Sequence, residues 1–275
     1  MTTAQLHPRR YVFRAHATGV GAHIRRPETQ LLPVQGCSAL PTTGGHHESE
    51  VAANTLGKWV SFDKVTTSTH GDYVDAAKGV ATTRGEVAFD AVPTRTTTSS
   101  SVDGLAILSR VFVGRAAMEL VKEQPVPGDP CFMLKGCTLD NVRIDNSRLK
   151  VTLAEGFYAG CTTYAQLEAK HASNPKLFLP LDSSEDSLTT FPDDQPMVKC
   201  TIVENISWDG EPHPTAEIHG HVVRVPNFGK IYFGEMFVTD HSRRLTMVRF
   251  QLGSDDGGEV TAADGETNGG TFPPT

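Results

Sequence analysis

Residues 216–225, AEIHGHVVRV, followed by KIYFGEMFVT at 230–239 and RLTMVRFQLG at 244–253, decide the fold class. Each run is rich in β-branched and aromatic residues. The segments between them, PNFG and TDHSR, are so short that the runs must be antiparallel neighbours, which predicts a three-strand meander over 215–252. In the third run Thr246, Val248, Phe250 and Leu252 fall on one face, and Leu245, Met247, Arg249 and Gln251 on the other. Both faces are partly apolar, as expected of a strand inside a packed structure.

Comparable runs recur toward the N-terminus: RYVFRAHA, KWVSFDKV, GEVAFDAV, LAILSRVFV, CFMLKG, NVRIDNSRLKVTLA and MVKCTIVENISW, each bounded by Gly, Pro, Asn or Asp. The expected class is therefore all-β, or β-dominated α+β: an antiparallel sandwich or jelly-roll-like barrel with one or two short helices. The main helix is predicted at 164–173, where Thr163 and Gln166 form a capping box and Asn174-Pro175 stops the chain. A second is expected from Ser49 to Leu56, ended by Gly57, and RAAMELVKEQ reads as a helical turn before Pro125. TRTTTSSS, at 94–101, reads as an exposed β-edge or a mobile loop.

The 275 residues suit two domains or one large β domain. The three prolines of KEQPVPGDP suggest a linker at 125–130 between a β-rich unit at 1–124 and a second at 131–252, the alternative being a single β domain over 1–252. Residues 253–275 are expected to form a disordered acidic tail, since they hold five acids and neither Lys nor Arg. That segment accounts for five of the seven net negative charges, and the nearly balanced body offers no electrostatic footprint for nucleic acid. No stretch of about 18 apolar residues predicts a membrane span, and the first residues lack the apolar core of a secretory signal, so the expectation is a soluble, cytoplasmic protein. Five scattered cysteines (Cys37, Cys131, Cys137, Cys161, Cys200) then read as reduced thiols, mostly small buried hydrophobes.

The sharpest chemical constellation is Glu217, His219 and His221. On one continuous strand these project to the same side about 6 to 7 Å apart, and a carboxylate with two imidazoles is a ligand set for a divalent metal, zinc or iron, able to activate water or bind oxygen. A linear row chelates poorly, so a further ligand must come from a neighbouring strand. With a loop at 226–229, Val225 faces Lys230, and Glu235 points away from both histidines; a register shifted by one residue sets Glu235 opposite His221. A cupin motif would carry a Glu about four residues beyond the His-x-His pair, but Val225 and Pro226 stand there.

Other features are weaker. The loop GGHHESE sets His46, His47 and Glu48 side by side, but adjacent loop side chains diverge. Cys37 and Ser38 lack a nucleophile elbow, and the acids of LDSSEDSLTTFPDDQP do not match a calcium loop. Catalytic residues stay unknown at this level. Trp208 and Phe228 sit at predicted turns, where aromatics either plug the core edge or face a protein or carbohydrate partner. With no complete catalytic set, the expected function is a β-scaffold binding or assembly module, able to form a homo-oligomer through uncapped edges. The alternative is a metal-dependent enzyme at the Glu/His/His strand.

Overall fold

A computed structural model describes residues 10–74, 92–179, 197–253 and 255–272. In chain order the strands are β1 (Arg10–Val12), β2 (Ala15–Ile24), β3 (Gln30–Ala39), β4 (Gly45–Leu56), β5 (Val60–Tyr73) and β6 (Thr94–Ile107). Then come β7 (Val111–Gln124), β8 (Cys131–Ile144), β9 (Ser147–Leu153), β10 (Thr162–Thr163), β11 (Met197–Thr201) and β12 (Val203–Trp208). The last six are β13 (Glu217–His219), β14 (Val222–Val225), β15 (Gly229–Thr239), β16 (Ser242–Leu252), β17 (Gly258–Asn268) and β18 (Gly270–Phe272). Sheet I runs β12-β9-β8-β7-β6-β5-β4 with β10 attached to β8, and sheet II runs β13-β14-β15-β16-β17-β2-β3 with β11 attached to β15. All these pairings are antiparallel, and the two sheets pack face to face as a sandwich that does not close into a barrel.

Several expectations change. Residues 125–130 connect β7 to its hydrogen-bonded neighbour β8, and both sheets draw strands from either side of them, so they form a hairpin connection and not a domain boundary. The segment after Gly253 is no loose tail: β17 lies inside sheet II between β16 and β2, burying Val260, Ala262 and Ala263. Its acids are used as partners. Asp256 accepts from Trp59 Nε1 at 3.1 Å and pairs with Lys58 at 2.8 Å, and Asp264 pairs with Arg244 at 3.0 Å. The helix is confirmed as α1 (Tyr164–Lys170) with both hydrogen bonds of its capping box. The stretch 49–56 and RAAMELVKEQ are instead in β4 and β7, because cross-strand pairing outweighs local helical propensity. GGHHESE likewise runs into β4. Apart from Val92, the strand expected at 85–92 lies outside the described residues, as does the acidic run at 181–196.

TRTTTSSS forms most of β6, which lies inside sheet I between β5 and β7. Thr94, Thr96, Thr98 and Ser100 point inward and are buried. Two of their hydroxyls bridge the sheets, Thr98 donating to the Glu266 carbonyl at 3.3 Å and Ser100 to the Thr18 carbonyl at 2.9 Å. The interior is thus apolar toward one end, around Leu105, Ile107, Phe233 and Phe250, and hydroxyl-lined toward the other. At the hydroxyl-lined end two cations are buried. Lys122 donates to the carbonyls of His241 and Gly269, and Arg243 to those of Asp240 and Pro130. These contacts tie β7, the β15–β16 turn and the β7–β8 connection together. Burial, and after it the Arg243 charge, push the Lys122 ammonium down to about 7.

The alternation of each long strand slips by one residue at a single level. Among the buried residues, the alternating set in β6 runs Thr94, Thr96, Thr98, Ser100, Val102 and then Leu105, Ile107, and in β7 it runs Val111, Val113 and then Ala116, Met118, Leu120 and Lys122. Register places the slips in one row: Asp63, Gly104, Gly114 and Asn141 across sheet I, and Gly234, Met247, Ala263, Gly19 and Gly36 across sheet II. Every second member of each row is left-handed: Gly104 and Asn141 in sheet I, and Gly234, Ala263 and Gly36 in sheet II. The predicted faces of the third meander run are corrected accordingly: Leu245, Val248 and Phe250 face the core, while Thr246 and Arg249 lie on the outer side with Glu235.

Two outcomes follow. Ending the chain after Gly253 exposes β16 and β2 along their whole ladders and should abolish the cooperative unfolding transition in circular dichroism. Because the unfolded chain holds the Lys122 proton up to about pH 10 and the folded one releases it near 7, the stability contributed at this residue rises between those pH values; denaturant titrations should show that rise flattened in Lys122→Met.

Candidate functional site

The run Glu217–Val225 is not one strand. His219 pairs with Val222, and Gly220, with φ +60°, makes the two-residue turn with His221. Glu217 and His219 remain on β13 as an exposed pair, Nε2 to carboxylate 3.1 Å. His221 leaves them at the turn. The meander register is also one residue shorter than expected, with Val225 opposite Gly229 and the Phe233 amide donating to the His221 carbonyl at 3.0 Å. The slip at Gly234 nevertheless turns Glu235 toward His221, whose Nε2 lies 3.6 Å from its carboxylate. The expected three-ligand row is thereby split into two pairs.

Glu235 is the centre of a different cluster. It is 3% exposed, receives Arg249 Nε at 2.7 Å, and lies 3.5 Å from Lys199 Nζ across from β11. Arg249 stacks on the Tyr232 ring at 3.8 Å and reaches Glu259 on β17 at 3.6 Å, so one charge ladder crosses β11, β15, β16 and β17. Burial alone would raise the Glu235 carboxyl; His221, Arg249 and Lys199 override it and hold the group down at about 2. A carboxylate kept charged by two cations positions strands and has little basicity to offer a reaction.

The two turn aromatics belong to a second network. Phe228 is 0% exposed, so it plugs the core and faces no partner. Arg110 sits over its ring at 5.8 Å, forms a two-point contact with Asp145 (3.0 and 2.8 Å), and Asp145 holds His213 Nε2 at 3.0 Å. His213 in turn stacks beside half-buried Trp208, ring centroids 6.2 Å apart. The His213 Nδ1 accepts from the amides of Thr215 and Ala216, which fixes the ring as the Nε2–H tautomer with both nitrogens engaged. This network joins four turns and leaves no side chain free for acid–base work. The Arg110 contact holds the Asp145 carboxyl below the usual range against the effect of its burial.

Two features escaped the sequence. Cys131 and Cys161 form a disulfide, while Cys37, Cys137 and Cys200 are free; the pair is 30 residues apart in sequence and meets only because β10 docks on β8. The other is the side of the sandwich where β3 ends sheet II and β4 ends sheet I. Among the described residues no strand pairs with the outer edge of either. The side chain of Asn54 donates to Gln35 at 3.0 Å and the Ala39 amide to His47 at 3.3 Å, which sets the edges side by side. Beside them Leu31 and Val34 stand 78% and 52% exposed on β3. The β4 edge is twelve residues long and mostly exposed, and contains no proline, whereas β3 carries Pro33. No described helix is long and apolar enough to cross a membrane.

The family described as a domain of unknown function (DUF8256) matches residues 11–187 and 179–239. Among curated proteins and solved structures nothing matches. For the charge cluster, Glu235→Gln leaves buried Lys199 without its 3.5 Å carboxylate and Arg249 with Glu259 alone, and should cost about 3–5 kcal/mol in urea denaturation. The Glu235 contribution is complete above about pH 4.5 and is lost as the pH falls toward 2, about 3 kcal/mol in all, so the variant should lack that acid-dependent limb.

Proposed function

The chain belongs to the DUF8256 family, whose description carries no activity, and we propose from its surface chemistry that it is an assembly module that pairs edge to edge with a second copy of itself. The observation that carries this reading is the β4 edge, unpaired among the described residues, lying beside the exposed Leu31 and Val34. A strand at the border of a sheet leaves every second amide and carbonyl unpaired, and a twelve-residue edge without proline or lysine lacks the usual guards against strand addition. The exposed carboxylates on this strand carry partners of their own into such a pairing, Glu50 with Lys64 at 2.9 Å and Glu48 with His46 Nε2 at 3.4 Å. The apolar side chains of β3 then add the burial that backbone hydrogen bonds alone supply weakly.

Carbohydrate recognition receives less support, because Phe228 is buried and Trp208 is held against His213. Size-exclusion chromatography with light scattering tests the reading. The expected mass is at least twice the 29.7 kDa of the chain, falling to one chain in the Leu31→Lys/Val34→Lys double variant with its circular dichroism unchanged. A single-chain mass for the unaltered protein across micromolar concentrations overturns it.

A further inference from the structure

The Cys131–Cys161 disulfide has a third neighbour. Glu123 lies directly across the β7–β8 ladder from Cys131, and one of its carboxylate oxygens and the two sulfurs lie within 4.8 Å of one another. Among the described residues this is the one group of three or more metal-ligating side chains so gathered. Arg95 contacts a single oxygen of Glu123, Oε1, at 2.7 and 2.8 Å, which leaves the other oxygen to a further partner. None of the three is fully buried and Cys161 is the most open of them, so the group has a path to solvent.

We propose that on reduction of this disulfide Cys131, Cys161 and Glu123 become a zinc site that joins the same two segments. A thiol reductant supplies two electrons and two protons; the S–S bond breaks, two cysteine thiols form, and the reductant leaves as its own disulfide. Zinc then displaces both thiol protons to solvent and binds two thiolates and the carboxylate, with water in the fourth tetrahedral position. Zinc–sulfur bonds of about 2.3 Å in a tetrahedron set the sulfurs about 3.8 Å apart, a change that side-chain rotation supplies from the present Cα–Cα separation of 5.3 Å.

The local structure explains why such a joint matters. β10 meets β8 through Thr162–Phe132 and Thr163–Cys131 alone, and Thr163 is also the N-cap of α1. A covalent or metal cross-link beside that two-pair ladder holds the helix segment to the sheet in oxidising and reducing surroundings alike.

The test uses the full chain, reduced with a phosphine, stripped of metal, and titrated separately with zinc chloride and cobalt chloride. The expected results are one zinc per chain by elemental analysis, two protons released per zinc, and a thiolate-to-cobalt charge-transfer band. Zinc and band should be lost in Cys131→Ser and in Cys161→Ser, and zinc affinity should fall at least about tenfold in Glu123→Gln. The oxidised chain should take up none at this site. Glu123→Gln keeps both cysteines, so its oxidised form, melting as the unaltered protein does, shows that the fold is intact. Absence of stoichiometric zinc, binding that survives both serine variants, or unchanged affinity in Glu123→Gln each overturns the proposal.

Discussion

One row of residues across each sheet governs which side chains the sandwich buries. At the level of Asp63, Gly104, Gly114 and Asn141 in sheet I, and of Gly234, Met247, Ala263, Gly19 and Gly36 in sheet II, each strand that carries one of these residues gives up strict alternation and moves its inward set by one residue. A slip in one strand alone would turn half of that strand inside out. Because neighbours slip together, the ladders stay in register and both halves keep a consistent inner face. Left-handed backbone on alternate strands makes room for the extra residue, and at Gly104 a side chain would strike Asp63 as well. Gly19 and Gly36 leave room for Val65 of the opposite sheet, so the rows also set how closely the sheets approach.

The two halves created by the rows have different interiors. On one side packing is by large apolar side chains; on the other, threonine and serine hydroxyls bind carbonyls of the facing sheet, and Lys122 and Arg243 close the end by holding turn carbonyls. The same slip places Glu235 on the outer face, where Lys199 and Arg249 keep it charged. Charge burial here therefore serves register: a carboxylate answered from β11 and β16 leaves β15 one position in which all three charges are paired.

The strand-rich class, the meander and the capped helix were legible because each rests on local pattern: β-branched runs, short turns, and Thr163 three residues before Gln166. What local pattern cannot carry is the third dimension. Residues 94–101 looked like an edge because threonine and serine are polar, although the hydroxyls of Thr98 and Ser100 find carbonyls across the sandwich. The acidic segment after Gly253 looked unstructured because its charges are answered by distant residues, Lys58 and Arg244 among them. The Glu217, His219, His221 row failed for a smaller reason: Gly220 turns the chain inside what reads as one run. The Cys131–Cys161 pair carried no spacing signal, since only the docking of β10 brings its halves together.

The place of β17 also bears on how the molecule comes into being on the ribosome. Its ladder with β2 joins Gly258 to Ile24 and Thr267 to Ala15, so β2 waits for its partner until all the chain between Ile24 and Gly258 has been made. Sheet I has no such delay between β4 and β8, whose pairings follow the order of synthesis. The nascent chain thus carries β2 unsatisfied on one side, in need of shelter from other chains, until β17 arrives.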